Sequence, residues 1–324
     1  MPQSSVIFFT NKYYPNGKRG DNFRQDFTFQ HERGVAFHNE NTLFASSINE
    51  GGSVHFVSFP NASLADLKDW VAKTFGDSDP VESGYVPGTI YKRIFRPLAC
   101  SGSLYRAIDQ DKFTSTFVSL RILLNKLEDL FESLEPAETN LSAYGHKIRE
   151  ILLLACMEVE SSWSAVLKEN KYSSSGQLTT NDYVKLLTPI LLDSYQLSLQ
   201  SYPHFPSFVP FGGWDAATPT KSLTWYDAYN KTKHDREENL KFATLQNAVQ
   251  AVGATVVMFH AQFGFQSGLT GVDHKNAFIH NIFRMVTNFN KHQRECYIPR
   301  LKVLANTSPT PTASFDWKEI NHPF

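Results

Sequence analysis

The sequence predicts an α+β protein in which a β-rich N-terminal domain precedes an all-α helical bundle. Short aromatic or β-branched runs separated by Gly-containing turns dominate up to about residue 100. From about residue 110, apolar residues instead recur at spacings of three and four, which is the period of an amphipathic helix. We expect the domains to comprise residues 1–100 and 101–300. Residues 301–324, rich in Pro and Thr between 306 and 312, are expected to form an extended or disordered arm.

The N-terminal domain is expected to contain short strands and one helix. Runs at 6–9, 27–29 and 34–37 favour strands because they combine Phe with β-branched residues. Residues 42–48 and 53–59 favour a hairpin, since the Gly51-Gly52 pair between them tolerates the positive φ of a tight turn. An amphipathic helix should begin at Ser63, with Asp66 completing an approximate capping box. Its apolar stripe comprises Leu64, Leu67, Trp70, Val71 and Phe75.

The bundle is expected to begin with a long helix from Phe113 to Leu134 that ends near Pro136. Its seven-residue repeat favours packing against another helix, either in this chain or in a second copy, and so raises the expectation of a homodimer. A loop insertion at 202–221 combines Pro and Gly with several large apolar rings, which is typical of an ordered loop packed onto a core. The remaining elements are predicted as helices at 142–170, 180–189, 237–263 and 274–290, and as a strand at 195–199.

Composition excludes several classes of function. A formal net charge of -1 argues against a protein that coats nucleic acid nonspecifically, because such binding depends on a cationic excess. The nucleotide-binding pattern GxxxxGK[ST], the esterase pattern GxSxG and the zinc-protease pattern HExxH are absent. No metal site or cofactor is expected, since the histidines and cysteines lack ligand spacing.

The cysteines and the hydropathy pattern bear on location. Cys100, Cys156 and Cys296 are far apart and odd in number, which favours reduced thiols in an intracellular protein. The N-terminus lacks a signal-peptide pattern, and no run of about 18 apolar residues is present. The expected location is therefore the cytoplasm, with no membrane partner.

The segment from Tyr229 to Arg236, YNKTKHDR, concentrates groups that can bind and cleave a phosphodiester. Asn230 and His234 are four residues apart and would share a helix face. Lys233 and Arg236 are three apart and would lie beside them, with Tyr229 below. Cationic groups bind phosphate, an imidazole moves protons near neutral pH, and an amide orients either partner. An ordinary charged helix surface is the alternative interpretation of the same residues.

This segment resembles the motif of the HEPN superfamily of helical RNases and nucleotide-binding domains. Their motif has an Arg, then Asn, Asp or His, then a few variable residues, then His, and this chain matches it at Asn230 and His234. Tyr229 stands where the family has the Arg. The resemblance covers residues 110–295. It implies a helical bundle that dimerises and a metal-independent cleavage of RNA through the ribose 2′-hydroxyl, in proteins of prokaryotic defence or toxin systems.

Under this resemblance His234 would be the acid/base, Asn230 the orienting group, and Lys233 with Arg236 the phosphate clamp. Tyr229 would lie at the binding site. Because HEPN-like domains place an acidic residue opposite the motif, Glu158 or Glu160 is expected to pair with Lys233, His234 or Arg236. The same helix carries Arg149 as a further supporting residue.

Two alternatives remain open at this stage. The bundle could be a catalytically inactive interaction or ligand-sensing module, which the Tyr at position 229 favours. It could also be a structural subunit that binds neither RNA nor nucleotide.

Overall fold

A computed structural model describes residues 6–14, 32–39, 42–47, 57–60, 67–83, 85–96, 109–264, 273–287, 297–298, 301–302, 312–313 and 317–324. The chain divides into two compact units. Unit 1 contains residues 1–90, 96–107 and 292–320, and unit 2 contains residues 91–95, 108–291 and 321–324. The fold is α+β, with strands concentrated in unit 1 and helices in unit 2.

Unit 1 is built on a five-stranded sheet with the order β4-β3-β2-β1-β5. The pairings of β1 with β2 and β5, and of β3 with β2 and β4, are antiparallel. One sheet face is covered by helix α1, whose Val71 and Phe75 pack with Ile7 and Phe9 in a small core. The bounds are β1 Val6–Thr10, β2 Arg33–Asn39, β3 Thr42–Ser47, β4 Val57–Pro60, α1 Leu67–Phe75 and β5 Val81–Ser83.

The C-terminal part of the chain adds further strands to unit 1. Strand β6 (Thr89–Tyr91) pairs with β11 (Lys318–Ile320), and β9 (Leu301–Lys302) pairs with β10 (Thr312–Ala313). The Gly88 amide donates to Ile298 O at 2.7 Å, and the Lys318 amide donates to Gly88 O at 2.8 Å. Residues 292–320 thus belong to the same compact unit as the N-terminal strands, whereas the sequence suggested a separate arm at 301–324.

Several expectations for the N-terminal region can be compared directly with the structure. Strands occur at the predicted positions 6–9 and 34–37, and the two predicted hairpin strands pair with the register Thr42↔Pro60. The predicted strand at 27–29, the hairpin turn and the Ser63 cap lie outside the described residues. So does the predicted arm between residues 306 and 311.

Unit 2 is a helical unit with one small two-stranded sheet. Its long helices are α2 and α3, and Asp109 caps α2 by accepting hydrogen bonds from the amides of Asp111 and Lys112. The bounds are α2 Gln110–Phe131, α3 His146–Glu169, α4 Thr180–Tyr183, β7 Tyr195–Leu199, α5 Thr224–His234, α6 Arg236–Asn239, α7 Leu245–Phe263, α8 Asp273–Ile282 and β8 Phe283–Thr287.

Helix α7 is the centre of unit 2, with buried side chains all around its axis. An apolar helix with no polar face must be covered on every side by other elements. It packs against α3, where the Thr255 hydroxyl donates to Ala155 O at 3.3 Å, and also against α2 and α5. On another side Gly253 lies so close to Phe208 and Leu197 that a Cβ would come within 3.0 Å of their side chains. Helix α7 therefore fixes the positions of α3 and α5, which carry the candidate site.

Three predicted helices are wrong in part. The helix expected at 180–189 is α-helical only over Thr180–Tyr183 and continues as a 3₁₀ turn at Val184–Leu186. The helix expected at 237–263 is divided into α6, a 3₁₀ turn at Leu240–Phe242 and α7. Thr244 interrupts it with extended backbone, and its hydroxyl caps α7 by accepting from the Asn247 amide. The helix expected at 274–290 ends at Ile282 and continues as β8, since pairing with β7 satisfies its backbone groups.

No helix in the described part of the chain is long and apolar enough to cross a membrane.

Candidate functional site

Helix α5 carries most of the 229–236 segment, and the aromatic face of this helix packs into the core of unit 2. Trp225, Tyr226 and Tyr229 are buried, while Lys231, Lys233 and His234 are exposed. The indole Nε1 of Trp225 donates to Pro210 O at 2.8 Å, which ties the start of α5 to the predicted Pro/Gly/aromatic loop. The aromatic residues of α5 thus fix the helix, and its last turn presents the basic residues at the surface.

A chain of hydrogen bonds connects Lys233 to the interior. Lys233 Nζ donates to the Tyr229 hydroxyl at 2.9 Å, and that hydroxyl donates to Glu160 Oε2 at 3.3 Å. The Tyr226 hydroxyl donates to the other oxygen, Glu160 Oε1, at 2.5 Å. Lys233 Nζ also lies 4.9 Å from the centre of the Tyr229 ring. Glu160 on α3 therefore holds two phenols of α5, and one of them holds an exposed ammonium group.

The electrostatics of this chain follow from burial and hydrogen bonding. Burial, followed by the bond to Glu160, raises the pKa of Tyr226, so this phenol stays protonated and keeps donating. Burial also raises the pKa of Tyr229, while the Lys233 ammonium opposes that shift. The bond to Tyr229 raises the pKa of Lys233. Lys233 is therefore a stable cation across the physiological range.

Cys156 lies one helical turn before Glu160 on α3 and is fully buried. Burial raises the pKa of its thiol well above the ordinary value, with the nearby Glu160 charge acting in the same direction. A thiol with that environment is protonated and weakly nucleophilic. Cys156 therefore packs against the site as an apolar group.

Of the two carboxylates expected near the motif, the structure brings only Glu160 to α5. Its connection to Lys233 runs through Tyr229, because the described part of the chain shows no ion pair between the two. Glu158 instead lies near Ser119 of α2, whose hydroxyl opposes the rise in the pKa of this carboxyl. Since α-helical residues two apart point in different directions, only one of the two could face α5.

The position of Glu158 has a measurable consequence. Burial raises its pKa, so the folded state binds this proton more tightly than the unfolded chain does. The contribution of Glu158 to the free energy of unfolding is therefore fully present below its ordinary pKa of about 4.5. That contribution is lost as the pH rises through the higher pKa of the folded state. Glu158→Gln is therefore expected to raise the free energy of unfolding at pH 7 and to have no such effect near pH 3. Urea denaturation at both pH values measures the difference. A lower stability at pH 7 would contradict this assignment.

Asn230 and His234 both lie on α5, one turn apart, as their spacing predicted. The Asn230 amide donates from Nδ2 to Tyr226 O at 3.0 Å, which fixes its orientation. His234 is the last residue of the helix and is exposed.

Arg236 does not share a helix with Lys233, contrary to the expectation drawn from their spacing. Helix α5 ends at His234, and Asp235 has extended backbone with φ -143° and ψ 93°. Its carboxylate caps α6 by accepting from the Glu238 amide at 3.2 Å. Arg236 is exposed as the first residue of α6. Because the helix is interrupted at Asp235, Lys233 and Arg236 lie on different helices and their spacing of three no longer places them on one face.

Arg149 has a structural partner that the sequence did not identify. Its Nε and Nη2 donate to Thr232 O at 3.2 and 2.8 Å. The guanidinium therefore provides hydrogen-bond donors for a carbonyl in the last turn of α5. Such carbonyls lack partners within the helix. The first turn of α3 thus holds the end of α5, next to His234.

Arg149→Ala is expected to lower the free energy of unfolding by about 1.5–3 kcal/mol, because two charge-assisted hydrogen bonds are lost. Thermal and urea denaturation would measure the change. Arg121→Ala is the control, since this Arg is exposed on α2 and a surface change should cost about 0.5 kcal/mol or less. Equal effects of both substitutions would show that the Thr232 contact contributes nothing.

Sequence reasoning missed Tyr226, which donates the shortest hydrogen bond to Glu160. The available signal was spacing: Tyr226 and Tyr229 are three apart on a helix, and Glu160 lies in an apolar segment that cannot leave a carboxylate unpaired. It also missed the aromatic cluster around Trp163. This ring is fully buried and stacks on Trp214 with 4.9 Å between centres.

Comparison of the chain with protein-family models, curated proteins and solved structures found no match. Within the described ranges, the His, Cys, Asp and Glu side chains form no group that could hold a metal ion.

Proposed function

We propose that this protein is a HEPN-like, RNA- or nucleotide-directed protein that acts through the last turn of α5, as a metal-independent endoribonuclease of the prokaryotic defence type. The observation that carries the proposal is the Glu160–Tyr229–Lys233 chain. Where the family has an Arg, this chain has a Tyr whose hydroxyl holds a Lys ammonium at 2.9 Å. The positive charge that the motif needs is thus available on the residue next to His234.

The proposed chemistry assigns a role to each group. Lys233, with Arg236 on the next helix, neutralises a phosphate of the RNA. His234 removes the proton from the ribose 2′-hydroxyl, whose oxygen attacks the adjacent phosphorus. The bond to the 5′-oxygen breaks, leaving a 2′,3′-cyclic phosphate, and the departing oxygen takes up a proton. Asn230, oriented by Tyr226 O, positions the phosphate or the imidazole. A homodimer through the helical bundle would bring two such sites together in the cytoplasm.

The proposal is tested by incubating purified protein with a panel of labelled RNAs. His234→Ala is expected to reduce cleavage by at least about 100-fold, which is the usual contribution of an acid/base group. His204→Ala is the matched control, since it removes an exposed imidazole from the 202–221 loop. Equal cleavage by the wild type and His234→Ala would overturn the catalytic assignment.

A second candidate function is a catalytically inactive binding module, and the burial of Tyr229 favours it. The Tyr229 side chain is 1% exposed and bonded to Glu160, so its position cannot present a guanidinium-like group to substrate. RNA or nucleotide binding without turnover, weakened by Lys233→Ala, would support this module. A structural subunit would show neither binding nor turnover.

A further inference from the structure

Phe242, in the turn after α6, lies beside two ammonium groups. Lys231 Nζ is 4.5 Å from the centre of its ring and Lys241 Nζ is 5.6 Å from it. Lys231 comes from the exposed side of α5 and is also paired with Asp227 at 2.6 Å. Both lysines reach solvent, and Phe242 is only partly buried. The ring therefore has an edge or face near water that charged side chains currently cover.

Tyr144 lies on a segment whose backbone adjoins the segment that follows Phe242. It forms an antiparallel bridge with Thr244, two residues after Phe242, and the Leu245 amide donates to Ala143 O at 2.8 Å. Tyr144 is 57% exposed, so its ring is accessible to a ligand from solvent. The start of α3, which follows Tyr144, also supplies the Arg149 that holds the end of α5. The two aromatic residues thus lie on segments that adjoin the candidate site.

Aromatic side chains interleaved with cations suit unpaired nucleotides. A base stacks on a ring, while the flanking phosphates attract the ammonium groups. In a duplex, the bases already stack on each other and offer no free face to a protein ring. When a base takes the ring of Phe242, Lys231 and Lys241 can exchange their ring contact for a phosphate.

We propose that Phe242 and Tyr144 form a base-stacking surface, flanked by Lys231 and Lys241, which makes single-stranded RNA the preferred ligand of this protein. The inference rests on the proposed function and narrows it from RNA or nucleotides to unpaired RNA. We refer to these four residues as the stacking surface.

The test is fluorescence anisotropy with a labelled single-stranded RNA of about 12 nucleotides and with the matching duplex, using wild type and variants of the full chain. Phe242→Leu and Tyr144→Leu are each expected to weaken single-strand binding about five- to tenfold, as loss of one stacked base does. Binding of the duplex should change less than twofold. Phe242→Tyr keeps a ring and should retain wild-type affinity for the single strand.

Tyr172→Leu is the matched control, because Lys185 Nζ lies 4.7 Å from the centre of that ring, away from α5. It should leave RNA binding unchanged. Thermal unfolding of each variant separates loss of folding from loss of binding, and exposed Tyr144 keeps the test valid if Phe242→Leu fails to fold. If the wild type binds RNA but single-strand and duplex binding fall equally, or neither falls, the stacking surface is wrong while the proposed function stands. If the wild type binds no RNA, both the stacking surface and the proposed endoribonuclease activity are wrong.

Discussion

Trp163→Ala is expected to lower the free energy of unfolding by about 3–5 kcal/mol, as removal of a large buried aromatic side chain typically does. The indole is completely buried on α3 and stacks on Trp214. Its ring also meets the Tyr183 ring at 5.2 Å and the Tyr226 ring at 5.4 Å between centres. The substitution therefore leaves a cavity and removes the support of a residue that holds Glu160.

Urea denaturation, monitored by far-UV circular dichroism, measures this change in the free energy of unfolding. The signal comes from the backbone, so removal of a tryptophan does not affect the comparison. Met157→Ala is the control, because Met157 lies on the same helix but is 56% exposed. It should change stability by about 0.5 kcal/mol or less. A loss below about 1 kcal/mol for Trp163→Ala would mean that the cluster does not form as described.

Glu160→Ala is expected to lower the free energy of unfolding by about 2–4 kcal/mol, because it leaves two buried phenol hydroxyls without their acceptor. Tyr226 and Tyr229 both donate to the Glu160 carboxylate. Because both tyrosines are nearly inaccessible to solvent, water cannot readily replace the lost acceptor. Lys233 would also lose the partner that fixes Tyr229. Any RNA binding should therefore weaken together with stability.

A double-mutant cycle makes this prediction sharper. In a Tyr226→Phe background, Glu160→Ala should cost at least about 1 kcal/mol less than in the wild type, since one of the stranded hydroxyls is already absent. Glu150→Ala serves as the control for removal of a carboxylate from α3. Its exposed pair with Lys126 at 2.6 Å should be worth about 1 kcal/mol or less. Additive effects of Tyr226→Phe and Glu160→Ala would show that the two residues do not interact.

Local patterns predicted the elements whose own residues determine them. The strand at Val6–Thr10 follows from a run of Phe and β-branched residues, and the long helix at Gln110–Phe131 follows from apolar spacings of three and four. Strand β8 could not be predicted, because Phe283–Thr287 becomes extended only through its pairing with β7, more than 80 residues earlier in the chain. The break before α6 depends on the cap at Asp235, and the break before α7 depends on the cap at Thr244. Such local hydrogen bonds compete with helix propensity.

The same distinction applies to the candidate site. Asn230 and His234 were placed on one helix by their spacing, and the expected carboxylate was narrowed to Glu158 or Glu160. Choosing Glu160 required the packing of α3 against α5, since each residue faces a different neighbour. The roles of these residues in catalysis stay predictions.

The hydrogen bonds that Gly88 makes to Ile298 and Lys318 constrain the order in which unit 1 can be completed during synthesis. On a ribosome, the N-terminal strands emerge more than 200 residues before β11, the strand that pairs with β6. Residues 108–291 of the helical unit are translated in the interval. Strand β6 therefore stays without its partner strand until residues 318–320 have been made.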